Sequence, residues 1–204
     1  MISESGKKIE TAQIQHPDYL WPMPWTDVFP VSRPVEIDIG AGDGGFIIQA
    51  AKKFPGINFY AIERLLGRVR KIARRTKANG LDNVRVLKLE NSYTVKYLIP
   101  KKSVHAVHLY HPDPFPKKKQ QKRRLVTVGF IHTVADLLEA DGIFYVRTDH
   151  EEYFHIIEEC IRESGRFESS GAENPYRDLV TDFEKEYRDR GVKINFSQYH
   201  LINN

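Results

Sequence analysis

The chain carries a single cysteine, Cys160, in 204 residues. No intramolecular disulfide is possible, which fits a reducing compartment. Long apolar runs are missing too. None approaches the length that spans a bilayer, and residues 1–15 hold none, which disfavours a signal peptide. These absences lead to the expectation of a cytoplasmic protein with no membrane partner. There is no Gly-x-Ser-x-Gly elbow and no Walker loop, so hydrolase and kinase chemistry have no foothold. Three histidines, His105, His108 and His111, fall close together. Side chains alternate along a strand, so His108 faces away from the other two. With no acid at ligand spacing, no metal site is expected.

Acids are scarce in the middle of the chain. Between Arg64 and Arg124 stand eighteen Lys or Arg against three acids (Asp82, Glu90, Asp113). That balance of +15 leaves −11 for the rest of a chain whose net charge is +4. A basic middle with acidic flanks points to one face that attracts a polyanion. At 41% hydrophobic, the chain has material for one core. Residues 1–33 read as an N-terminal extension packed partly by the aromatics of Trp21-Pro22-Met23-Pro24-Trp25, and residues 34–204 as one domain.

Strand-like and helix-like stretches alternate, which predicts a doubly wound, mostly parallel α/β sheet with helices on both faces. The strand Val35–Ile39 runs into Gly40-Ala41-Gly42-Asp43-Gly44-Gly45. Glycines at a strand end let a ligand approach the backbone, and the following helix N-terminus presents free N–H groups. A second strand, Asn58–Ile62, ends at Glu63, near the ~20-residue spacing at which such folds place a ribose-binding acid. A third, Val84–Leu89, ends at Glu90-Asn91. Asp38, inside the first strand, would repel a pyrophosphate but suits a cationic amino-acid group. That favours S-adenosylmethionine over a nicotinamide dinucleotide.

The most informative stretch is Tyr110-His111-Pro112-Asp113-Pro114-Phe115-Pro116-Lys117, which follows the apolar strand Val104–Tyr110. Its prolines leave few conformations open, so Asp113 is held at a strand end. Six cations follow within the eight residues Lys117–Arg124. Upstream, a predicted helix over Leu65–Asn79 puts Leu65, Val69, Ile72, Ala73 and Thr76 on its core stripe and basic residues on the remaining faces. Few acids lie within it, so Arg68, Lys71 and Arg75 are expected to meet phosphates. A helix over Val126–Glu139 precedes a strand at Ile143–Arg147. Thr148 or Asp149 then caps a helix from Glu151. Thr181 to Glu184 reads as a charged surface loop, and Asn195–Leu201 as a last strand.

Together these residues resemble the bacterial-type tRNA (guanine-N7-)-methyltransferases, class I S-adenosylmethionine enzymes with a Rossmann-like fold. The likeness covers Asp38 to Gly44, Ala61 to Glu63, Asn83 to Glu90, His111 to Lys117, Lys122 to Leu125, Thr148-Asp149 and Thr181 to Glu184. It implies methyl transfer from S-adenosylmethionine to N7 of a guanine in the tRNA variable loop, leaving S-adenosylhomocysteine. It further implies that Asp38, Gly40, Gly42, Glu63, Glu90, Asn91 and Asp113 hold the donor, with Asp113 also catalytic. Lys117, Asp149, Thr181, Phe183 and Glu184 would meet the substrate. Arg68, Lys71, Arg75, Lys122, Arg123 and Arg124 would hold RNA backbone. The sequence departs from the family pattern at Asp38 (usually Glu), His111 (Phe), Phe115 (Trp) and Lys119-Gln120 (Arg-His). Two rival readings stay open at this level: methylation of an exocyclic amine, and an RNA-binding paralogue impaired in catalysis. Monomer and homodimer are both compatible with the sequence.

Overall fold

A computed structural model describes residues 12–202, apart from the side chains at positions 188 and 189. Eight strands among them form one sheet: β1 (Gln13–Ile14), β2 (Val35–Ile39), β3 (Asn58–Glu63), β4 (Val84–Lys88), β5 (Val104–Tyr110), β6 (Leu138–Thr148), β7 (Phe167–Ser169) and β8 (Asn195–Leu201). Their order is β1-β4-β3-β2-β5-β6-β8-β7. β8 runs antiparallel to β6 and β7, and the other pairings are parallel. The sheet is the doubly wound one expected from the sequence.

β2 shows why the strands read as near-continuous apolar runs. All five of its residues are buried, because helices cover both faces of a parallel sheet. Val35, Ile37 and Ile39 point into a core shared with α4 (Asn91–Tyr97), α5 (Val128–Leu137) and α6 (Glu151–Ser164). The opposite core joins Ala61, Val86 and Ala106 to α2 (Gly45–Lys53) and α3 (Leu66–Ala78). The acids of β2, Glu36 and Asp38, are buried as well. β2 pairs with β3 on one side and with β5 on the other. The winding therefore reverses between β2 and β5, and the crevice beyond their carboxyl ends is the natural ligand site.

Two expectations need correction, and the expected extension is described in part. Residues 1–11 lie outside the described residues, and the remainder packs partly on the domain. β1 adds an edge strand, and Val28 and Phe29, in and just after α1 (Trp25–Val28), are buried in the core. Trp25 packs edge-on to Tyr60 at 5.2 Å and its Nε1 donates to Ser103 O at 3.0 Å. Trp21, by contrast, is 71% exposed. At the start of α6, neither Thr148 nor Asp149 is the cap. His150 Nδ1 accepts from Tyr153 N at 3.2 Å, while Thr148 Oγ1 accepts from His150 N and Asp149 turns toward His111. Finally, Thr181 to Glu184 is no surface loop. Thr181 N donates to the Glu184 carboxylate at 2.8 Å and Glu184 N to Thr181 Oγ1 at 3.0 Å, a reciprocal capping box that starts α7 (Asp182–Asp189). Glu184 is only 2% exposed.

Candidate active site

A cavity of about 910 Å³ opens at the carboxyl ends of β2, β3 and β5. That is within the ~300–1,000 Å³ of small-molecule sites. Asp38, Gly40, Gly42, Glu63, Glu90, Asn91, Asp113, Asp149, Thr181 and Phe183 line it, along with Arg68, Arg123 and Arg124. Lys71, Arg75, Lys117, Lys122 and Glu184 are not part of its wall. Most residues picked from the sequence are thus brought to one place, although they come from seven separate segments.

The turn after β2 is glycine-bound for geometric reasons. Gly40, Gly42 and Gly44 all sit at positive φ, from 58° to 83°. A Cβ on Gly44 would lie 2.7 Å from Ile72 of α3. Glu63 stabilises the turn from the next strand, its carboxylate accepting from Gly42 N at 3.1 Å and Leu65 N at 2.8 Å. Asp38 lies beneath, and among the described residues no cation pairs with it. Burial first, and the Glu63 charge second, push its carboxyl up to about 7. Glu90 has a second task besides lining the cavity: its two oxygens cap α4 by accepting from Ser92 N and Tyr93 N. Beside it, Asn91 Oδ1 is buried without a hydrogen-bond partner.

Across the cavity stands the loop after β5. Asp113 is exposed at the mouth, and Pro112 is buried beneath it. His111 and Phe115, each followed by proline, adopt φ of 51° and 41°. Such backbone is costly for non-glycine residues and concentrates at functional sites. Arg124 helps to hold the loop. Its Nε donates to Pro114 O at 2.7 Å and its guanidinium lies 4.9 Å over the Tyr153 ring, with the side chain 7% exposed. It braces the loop and also lines the cavity. Lys117 is exposed, and Lys122 and Arg123 follow on an exposed 3-10 helix, Lys118–Arg123.

The basic helix α3 also departs from expectation. Lys71 and Arg68 pair with Asp43 of the glycine turn, and Arg75 pairs with Asp182 at 2.8 Å. Arg68 also stacks over Phe183 at 5.6 Å. Spaced i, i+3 and i+7, these three share the face toward the site, where acids from distant segments meet them. Arg70, Arg74 and Lys77 on the outer face are exposed and form no ion pair among the described residues.

Sequence reasoning missed the scaffold behind the cavity. Glu36 accepts from the Tyr176 hydroxyl and from His108 Nε2, each at 2.7 Å. Burial outweighs Glu36 and lowers the His108 pKa, so the ring is neutral and its Nδ1 accepts from Tyr110 O–H at 2.9 Å. Arg147, 2% exposed, donates to the carbonyls of Leu179 and Tyr176 at 2.6 and 2.5 Å. Together these contacts bind the segment leading to α7 over the site. The available signal was polar residues, Glu36, His108 and Arg147, in strands that otherwise read as buried.

A family model described as "Putative methyltransferase" matches residues 32–197. The tRNA (guanine-N(7)-)-methyltransferase of Buchnera aphidicola subsp. Schizaphis graminum is 30% identical over 86% of this chain and 75% of its own length. The chain belongs to the tRNA (guanine-N(7)-)-methyltransferase family. Another member, from Geobacter metallireducens, is 38% identical over 68% of the chain. The chain spans 66% of that relative's length and 56% of the Thermotoga maritima one, to which it is 29% identical. Among solved structures, the 16S rRNA methyltransferase KamB aligns with a TM-score of 0.60 at 16% identity, over 84% of this chain and 88% of its own. An antibiotic-related methyltransferase aligns at 0.59 and 18%, over 87% and 92%. At those identities the likeness establishes a shared fold.

Proposed function

We propose that this member of the family transfers a methyl group from S-adenosylmethionine to N7 of a guanine in the tRNA variable loop. The observation that carries the reading is the position of Asp113, on a strained proline loop at the mouth of a cavity whose floor holds Asp38 and Glu63. Bound there, S-adenosylmethionine supplies an electrophilic methyl group on a positively charged sulfur.

The residues present suit that donor. Asp38 is a buried carboxyl without a cationic partner among the described residues, and a ligand ammonium would supply one. Asn91 Oδ1 is a buried acceptor awaiting a donor. Gly40, at φ 76°, keeps the backbone open to close approach. Glu63 stands at the end of β3 with both oxygens on backbone N–H groups, so a hydroxyl pair would meet a fixed carboxylate.

Guanine N7 has an in-plane lone pair and no proton, so no base is required to create the nucleophile. Asp113 acts by position and charge. It accepts from the guanine N1–H and N2–H edge and offsets the positive charge that grows on the ring. Phe115 offers a face on which an exposed base stacks. Lys117, Lys122 and Arg123 draw the RNA backbone to the loop.

Asp113→Asn tests the assignment. Donor binding and fold are expected to persist while turnover falls by about 100-fold or more, the size of a lost charge-stabilising group. An unchanged rate overturns the role given to Asp113. Borohydride and aniline cleave RNA at 7-methylguanine, so strand scission in the product from the wild-type protein is the expected chemical signature. Methylated RNA that resists cleavage contradicts N7 as the target.

A further inference from the structure

The outward side of α4 departs from the polar face usual on a surface helix. Thr94, Val95 and Leu98 turn inward and are buried, whereas Ser92, Tyr93, Lys96 and Tyr97 face out. Tyr93 and Tyr97, one turn apart, are 38% and 47% exposed, with ring centroids 5.0 Å apart. The Lys96 ammonium lies 5.1 Å over the Tyr97 ring. Lys96 and Ser92 also line the cavity, as does Glu90, which caps this helix.

A second segment brings another ring to the same region. The Tyr93 hydroxyl donates to Tyr19 O at 2.7 Å. Tyr19 holds a φ of 59°, and Asp18 Oδ1 accepts from Leu20 N at 2.9 Å and Trp21 N at 3.4 Å. This tight turn leaves the Leu20 and Trp21 side chains largely exposed.

Exposed apolar clusters mark contact sites. The chemistry here is flat rings with hydroxyl edges beside an ammonium. The acids nearest in the chain, Asp18 and Glu90, are engaged by backbone N–H groups. Ring faces next to a cation suit unpaired nucleotides, whose bases stack while the cation meets phosphate. The core of a protein interface, by contrast, is depleted in lysine.

We propose that Trp21, Tyr93 and Tyr97 form a stacking ledge, with Lys96 at its inner edge, for unpaired nucleotides of the RNA that flank the target guanine. The inference rests on the function proposed above. It adds a surface that touches neither the donor nor the reacting atoms. The ledge is continuous with the cavity through Lys96, so nucleotides next to a base held there reach it.

The test is steady-state methylation of a tRNA transcript by variants at these exposed positions. Trp21→Ala and Tyr97→Ala should each raise KM for RNA about 5-fold to 100-fold, the size of one lost base stack, with kcat and donor affinity unmoved. Tyr97→Phe puts the ring back and should rescue KM. Tyr97→Leu supplies apolar area without a ring and should resemble the alanine variant. The slope of log K for RNA against log salt should hold in the ring variants and fall by ~0.7 in Lys96→Gln. A KM for RNA unaltered in both alanine variants overturns the proposal. So does a wild-type dimer, seen by sedimentation, that these variants dissociate without changing KM, because the face is then an interface between copies.

A second readout needs no methylation. Trp21 and Trp25 are the two tryptophans of the sequence, so the difference in emission between wild type and Trp21→Phe isolates Trp21. The tRNA transcript and a short oligoadenylate, each at low salt, should quench that emission. Emission unmoved by both RNAs overturns the ledge. Quenching in a wild-type protein that binds donor yet methylates no tRNA supports the ledge and counts against the proposed function.

Discussion

At the residue scale, the most telling group is Asp38. Its carboxyl is pushed up to about 7 in the folded chain from the ordinary aspartate value of 3.8. The folded state therefore holds a proton that the unfolded chain gives up across the intervening range. A raised carboxyl favours folding most fully below about pH 4, and that contribution declines as pH rises toward 7. Asp38→Asn removes the penalty. It is expected to raise Tm at pH 8, with a smaller gain at pH 5. The same change should weaken donor binding, because the cationic group of the ligand loses its carboxylate. In the wild-type protein, donor affinity should improve from pH 6 to pH 8 as Asp38 ionises. Calorimetry across that range checks both signs, and an affinity that is flat with pH contradicts the pairing of Asp38 with a cation.

At the scale of elements, α3 separates two kinds of basic residue that look alike in the sequence. Arg70 and Arg74 are exposed on its outer face, whereas Arg75 is committed to Asp182. Arg70→Ala with Arg74→Ala should leave the free energy of unfolding within about 1 kcal/mol of wild type. The slope of log K for RNA against log salt should fall by ~0.7 to 0.9 for each phosphate contact removed. Tyr176 serves a different element. Its hydroxyl donates to buried Glu36, which anchors the segment before α7. Tyr176→Phe leaves that carboxylate one donor short, at a cost of ~1–3 kcal/mol in chemical unfolding. Elements of this kind divide what was legible from what was not. β5 and β8 were read to their observed limits, Val104–Tyr110 and Asn195–Leu201, because each is bounded by turn residues and has one unbroken pattern. The pairing of α3 was missed because its acids come from elsewhere. Asp182 is 107 residues away, and a count of acids within the helix does not see it. The burial of Glu184 had a sequence signal, the Thr-x-x-Glu spacing of a capping box, outweighed by the charged composition around it. Nothing local marks the two-residue strand β1, since its place is set by the open edge of β4.

For the whole molecule, the charge asymmetry of the sequence resolves into an arrangement. Acids converge on the cavity at the β2–β5 reversal, and cations gather around its mouth and on the outer face of α3. Under the proposed function, a cationic donor and a polyanionic substrate would be drawn to neighbouring surfaces without competing for the same groups. Binding of RNA is expected to weaken steeply with salt, and donor binding much less. The most direct measurement is transfer of labelled methyl from S-adenosylmethionine to two tRNA transcripts, one with the variable-loop guanine and one with adenine in its place. Label on the guanine transcript alone is the predicted result. Equal label on both moves the target away from that guanine, and no label on either, with donor binding intact, contradicts the proposed reaction.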